Sequence, residues 1–172
     1  MVIDFETTGL SPKYGDEICE VAAVKMLNHK IAATFTTLVN PCRPISPGAS
    51  AVNNITDEMV RNAPKFEHIY QEFINFIADG VIVGHNLSFD MGFLKEKLKR
   101  MGKPDPENCT LDTLRLARKM YPHFPSFKLT HLRGQFCIEA KEEHRALSDV
   151  IATAELLKIM LKDYEKKGLK EI

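Results

Sequence analysis

Apolar residues recur along this chain in two rhythms, a short one at the start and a longer one after residue 55. Val2-Ile3-Asp4-Phe5 reads as a strand, and residues 17–27 (EICEVAAVKML) and 31–39 (IAATFTTLV) read as two more. Asn28-His29-Lys30 between them is a short turn, so the second and third strands form a hairpin. Residues 40–54 carry three prolines and a glycine and read as loop. Thr56 then suits a helix N-cap, with Asp57 and Glu58 in the first turn. Phe66, Ile69, Tyr70, Phe73 and Ile77 repeat at helical spacing. Residues 81–84 form a short apolar run of buried-strand type. Ser88 is placed to cap a helix reaching about Arg100, which Gly102 and Pro104 end. A strand over 109–111, helices over 113–120 and 128–136, and a long helix over 146–166 complete the pattern, the last burying Leu147, Val150, Ile151, Ala154 and Leu161. The chain shows no internal repeat. A hairpin-rich start followed by alternating helices and strands predicts an α/β fold, with a mixed sheet flanked by helices in a single domain over 1–172.

Composition narrows the function classes. Of 172 residues, 44% are hydrophobic and 27% charged, enough for a core and a solvated surface. No apolar run approaches the roughly 18 residues of a membrane span, and the start has no basic region with a cleavage site. A cytoplasmic protein without a membrane partner is the expectation. Cys19, Cys42, Cys109 and Cys137 are scattered, which suits reduced thiols better than a disulfide framework or a zinc site. The 23 basic residues balance 23 acidic ones. That excludes a protein that coats nucleic acid through counterion release. It does not exclude an enzyme that grips a few nucleotides with the help of bound cations. Only three residues precede Asp4, short for a central strand, so a trimmed chain or a domain cut from a longer polypeptide is expected.

Three clusters carry candidate chemistry. Asp4 and Glu6 lie two apart on the first strand, so their carboxylates leave the same face. Such a pair near a core repels unless a cation lies between, and Mg²⁺ and Mn²⁺ prefer oxygen ligands. Taken alone, a D-x-E triple is equally a solvated strand start. Thr7-Thr8-Gly9-Leu10 follows, and Gly9 permits a tight turn where a phosphate backbone would approach. His85-Asn86-Leu87-Ser88-Phe89-Asp90 follows the strand 81–84, at the strand end where ligands gather in α/β sheets. Asp90 falls in a first helical turn, where an acid also complements the helix dipole. His144-Arg145-Ala146-Leu147-Ser148-Asp149 opens the last helix. Five residues are about 500° of helix, so His144 belongs to the preceding loop. Asp149 belongs to the second turn, at the edge of the buried face.

DFETTGL, HNLSFDMGFL and HRALSDV, in that order, resemble the three exonuclease motifs of the DnaQ-like family. The group is DEDDh, which includes the proofreading subunit or domain of bacterial DNA polymerase III. The resemblance runs from residue 2 to about residue 160. It implies a ribonuclease-H-like fold, metal ligands Asp4, Glu6, Asp90 and Asp149, and catalytic His144. The H-x₄-D form of the third motif places the chain in the histidine branch. Family members often carry a His-Gly pair before Ile-Thr, whereas Asn53-Asn54 stands here. Asn tolerates the left-handed conformation, so the turn is expected to survive.

The activity implied is 3′→5′ hydrolysis releasing nucleoside 5′-monophosphates. Two divalent ions, Mg²⁺ or Mn²⁺, about 4 Å apart would serve it, with Asp4 bridging, Glu6 and Asp149 completing one site and Asp90 holding the other. His144 would take the proton from the attacking water. Thr7, Gly9, Leu10, His85, Asn86 and Phe89 are expected to meet the substrate, with Leu10 and Phe89 wedging or stacking on terminal bases. His85 suits a fixed, positioning role. The expected partners are a single-stranded or frayed 3′ end of DNA and a polymerase catalytic subunit. An RNA-trimming relative is the alternative within enzymes. A non-catalytic interaction module is the alternative outside them, although none of the carboxylates is lost. Residues 71–76 (QEFINF) faintly resemble a sliding-clamp-binding peptide, but their apolar residues fit a buried helix face.

Overall fold

The computed structural model describes residues 1–139 and 145–166. Strands β1 (Val2–Thr7), β2 (Ile18–Leu27) and β3 (Lys30–Leu38) form an antiparallel meander. Strands β4 (Ile82–Gly84) and β5 (Thr110–Asp112) add in parallel beside β1, giving the order β3-β2-β1-β4-β5. The mixed sheet read from the sequence is the one observed. The β2–β3 turn is tighter than expected. Lys30 already pairs with Leu27, and Asn28 and His29 make the reversal at φ 50° and 62°. Two left-handed residues match the right-handed twist of the strands they join.

Alternation along the strands divides the core. Val2, Ala22 and Val24 face helices α5 (Thr113–Met120), α6 (Leu129–Gln135) and α7 (Ala146–Lys166) through Leu116, Leu132, Val150 and Leu157. Ile3, Phe5, Val21 and Ala23 face helices α3 (Phe66–Ile77) and α4 (Ser88–Arg100) through Phe66, Phe73, Phe93 and Leu94. Phe73 is fully buried with its ring centroid 5.8 Å from both Phe5 and Phe35. Truncating such a ring to alanine costs about 3–5 kcal/mol. The QEFINF segment therefore spends its phenylalanines inside the molecule, as its helical spacing indicated.

Several local expectations are corrected. Residues 40–54 are not all loop: helix α1 (Pro47–Asn53) begins with Pro47, and the Ser46 side chain accepts from the Ala49 N–H. Helix α2 (Asp57–Val60) starts as expected, with Thr56 Oγ1 accepting from Met59. Ser88 does not cap α4. It is the first helical residue, and Leu87 before it already has helical angles. Asp149 lies in the first turn of α7, not the second, and its N–H donates to the Arg145 carbonyl. Ile151 is 38% exposed rather than buried. Val150, Ala154 and Leu157 set the inward stripe, and one step of about 100° from Val150 carries Ile151 off it. Leu147 and Leu161 are only partly buried. The four cysteines are free thiols, with Cys19 buried and the others exposed. No helix is long and apolar enough to cross a membrane among the described residues.

Candidate active site

Strand β1 brings Asp4 and Glu6 onto the sheet face that meets α7. The first turn of α7 brings Asp149 against them, so that one carboxylate oxygen from each of the three lies within 4.8 Å of the others. Asp90 comes from the opposite layer. Strand β4 pairs with β1 only at Val2 and stops at Gly84, which leaves the Phe5 N–H without a strand partner. Asp90 Oδ1 accepts that N–H at 2.9 Å, and Asp90 is 3% exposed. A first-turn acid here does more than complement a helix dipole, because it also closes the gap where the sheet ends.

Burial and mutual repulsion hold these acids toward their protonated forms. The Asp4 carboxyl is raised well above the usual range, first by burial and then by the charges of Asp90, Glu6, Asp149 and Glu20. Glu6 is pushed up to about 8 by burial and then by Asp149 and Glu20, against a hydrogen bond from the Asn53 side chain. Asp90 is raised by burial, opposed by the N–H groups of Phe5 and of Asp90 itself. Among the described residues, no lysine or arginine pairs with Asp4 or Glu6. Converging carboxylate oxygens of this kind fit hard divalent ions.

The remaining expected residues fall into two groups. Leu10 is 85% exposed. Asn86 is exposed, with φ 65°, and its N–H donates to Asp112. Phe89 is half-buried against Phe93, with centroids 4.9 Å apart, so much of its ring serves packing. Thr7 is buried, and its hydroxyl donates to the Gly9 carbonyl at 2.6 Å. Gly9 is required for a reason other than a left-handed turn: a Cβ there would collide with the Asp16 carboxylate. Asp16 also accepts the Ser11 N–H, while Glu17 is held by Lys97 at 3.0 Å, so the loop after β1 is braced from behind. Both ring nitrogens of His85 are engaged, Nδ1 with Thr113 Oγ1 at 2.9 Å and Nε2 with the Phe127 carbonyl at 2.8 Å. Burial lowers its pKa. It ties β4 to α5 and the chain before α6. His144 lies outside the described residues.

Two residues beside the acids carry no motif. Asn53 is buried at the end of α1. Its Oδ1 accepts the Ile55 N–H, and its Nδ2 donates to the Thr7 carbonyl at 3.3 Å. Asn54 supplies the left-handed turn, at φ 57°. Glu20 stands directly opposite Glu6 across the β1–β2 ladder and is 3% exposed. Its signal was present in the sequence: an acid sharing the inward parity of Ala22 and Val24.

Comparison with known proteins gives the family and the fold. A family model described as Exonuclease (RNase_T) matches residues 1–157. The PolC-type DNA polymerase III of Caldanaerobacter subterraneus is 41% identical over 172 residues, covering 100% of this chain and 12% of the polymerase. The chain thus spans about an eighth of the length of the curated relatives it matches. The structure of Exonuclease X in complex with 5′ overhanging duplex DNA superposes with TM-score 0.79 at 29% identity, covering 95% of this chain and 92% of that one. The nuclease domain of 3′hExo, a DEDDh family member bound to rAMP, shares the fold with TM-score 0.82 at 21% identity, covering 94% and 90% of the two chains. A match over nearly the whole folded length, with Asp4 and Glu6 on the sheet and Asp149 and Asp90 on the helices against it, means that the chain belongs to the exonuclease family, as a metal-dependent exonuclease domain.

Proposed function

We propose that this chain removes nucleotides from the 3′ end of DNA as the proofreading exonuclease of a replicative polymerase, and that residues 1–172 form one domain of that larger protein. The observation that carries the reading is the convergence of Asp4, Glu6 and Asp149 oxygens within 4.8 Å, with Asp90 bonded to the same strand. Relatives named as PolC-type DNA polymerase III match along the full chain and support the polymerase setting. Asp4, Glu6, Asp149 and Asp90 would hold two divalent ions, Mg²⁺ or Mn²⁺, which would supply charge neutralisation on the phosphate and Lewis-acid activation.

The chain's own residues do the rest. Asp4 sits centrally, raised by the charges of all three other acids. His144, by its place in the third motif, takes the proton of the attacking water. The water oxygen joins phosphorus, the bond from phosphorus to the 3′ oxygen breaks, and that oxygen leaves protonated. A nucleoside 5′-monophosphate departs and a new 3′-hydroxyl remains. Exposed Leu10 meets the terminal base, while Thr7 and the braced Gly9 loop keep β1 fixed beneath it.

The test compares 5′-labelled single-stranded DNA, mismatched duplex DNA and short RNA under one condition. Single-stranded and mismatched DNA should give descending ladders that EDTA abolishes. Cuts in circular single-stranded DNA, which has no ends, would overturn the exonuclease assignment, and faster trimming of RNA would overturn the substrate class.

A further inference from the structure

Glu20 is a fifth carboxylate beside four that already repel one another. Both of its oxygens accept hydrogen bonds. Arg145 Nη2 donates to its Oε1 at 2.8 Å, Arg145 Nε donates to its Oε2 at 3.2 Å, and the Ala146 N–H donates to Oε2 at 3.1 Å. The first two bonds are the forked guanidinium–carboxylate geometry, which fixes orientation as well as charge. The third brings in the first residue of α7, at the positive end of a 21-residue helix.

The position of this pair gives it consequence. Glu20 is on β2, directly opposite Glu6 on β1. Arg145 precedes α7, and its carbonyl accepts the N–H of Asp149 one turn on. The three bonds therefore join β2, the strand paired with the one that carries Asp4 and Glu6, to the helix start that carries Asp149.

We infer that Glu20 and Arg145 are positioning residues of the exonuclease site, setting where Asp149 stands relative to Asp4 and Glu6 without touching substrate. The inference rests on the assignment of those acids as metal ligands. Groups that orient ligands typically change metal affinity or activity by about 10- to 100-fold when replaced.

The experiment uses the whole chain and reads Mn²⁺ binding by electron paramagnetic resonance, together with kcat and KM on a 5′-labelled oligonucleotide and melting in EDTA. Glu20→Gln keeps the size and an acceptor for Ala146 but loses the charged fork. It should weaken Mn²⁺ binding and lower kcat by about 10- to 100-fold, with KM within about twofold and the EDTA melting temperature nearly unchanged. Arg145→Lys restores charge without the fork, and its kcat should stay low. Adding Glu20→Gln to Asp149→Asn should weaken Mn²⁺ binding no further, because the pair acts through Asp149. Wild-type kcat and Mn²⁺ affinity in Glu20→Gln, or full recovery in Arg145→Lys, would overturn the inference. Failure of the unaltered protein to bind Mn²⁺ or to degrade DNA would instead overturn the ligand assignment beneath it.

Discussion

At the scale of single residues, the acids dictate how the metal-free protein responds to pH. Glu6 has a folded value near 8 against an ordinary value of 4.5. The folded chain therefore holds this proton more tightly than the unfolded chain, so folding takes up protons between those two values. The stability contributed is present below about 4.5 and is lost as pH rises toward about 8. Asp4, raised in the same direction, adds to the slope. Urea midpoints in EDTA should fall steadily from pH 5 to pH 8, and a flat or rising series would contradict the burial of these carboxylates. The two motif histidines separate in the same way. Both precede an aspartate by five residues, so spacing alone does not choose the base. His85 is locked by Thr113 and the Phe127 carbonyl. His144→Ala should lower kcat by about 10²-fold or more and remove the rise of rate between about pH 6 and 8. His85→Ala should keep that rise. Rate–pH profiles at saturating Mg²⁺ decide between them, and the reverse result would move the base to His85.

At the scale of elements, long periodic segments were legible and interruptions were not. Helix α7 runs over the residues its spacing indicated, because Ala146, Val150, Leu157, Met160 and Tyr164 recur at helical spacing. Helix α1 was hidden among prolines, although Ser46 and Pro47 are themselves start signals for a helix. Ser88 misled because a capping residue type stood one place inside the helix it was expected to cap. At the site, the motif acids were readable from order and spacing. Asn53 was not, and Glu20 showed only its inward parity, since their meaning comes from cross-strand pairing and from contacts with Thr7 and Arg145 that sequence distance conceals. The β2–β3 turn gives an element-scale test. His29 holds φ 62°, a conformation that costs a non-glycine residue roughly 1–2 kcal/mol. His29→Gly, making an Asn-Gly turn, should raise the melting temperature by about 2–4 °C. No change, or a fall, would show that His29 earns its place by a contact beyond the turn.

At the scale of the molecule, the sheet separates two cores, and the candidate ligands come from both sides of it. Asp149 rises from α7 over the core of Val150 and Leu157, and Asp90 from α4 over the core of Phe93 and Leu94. Divalent ions that bind only the folded arrangement should stabilise the whole. At about 100 times the dissociation constant the gain is roughly 2.7 kcal/mol, or about 5–10 °C in a domain of this size. Melting with Mg²⁺ or Mn²⁺ against EDTA reads it directly. An unchanged melting temperature with retained activity would contradict ligands drawn from both layers.

The Asp90–Phe5 bond reaches further than catalysis. It is a hydrogen bond from a helix of one layer to the strand that bears the other layer's acids. Amide hydrogen exchange reports how such layers open, each with its own free energy. Without ions, α4 and α7 should exchange as separate units, since only β1 and its neighbours stand between them. With ions held by Asp90 on one side and by Asp4, Glu6 and Asp149 on the other, neither helix can open without releasing them. Their slowest amides should then converge on a single rate, so that ligand occupancy turns two local openings into one cooperative event.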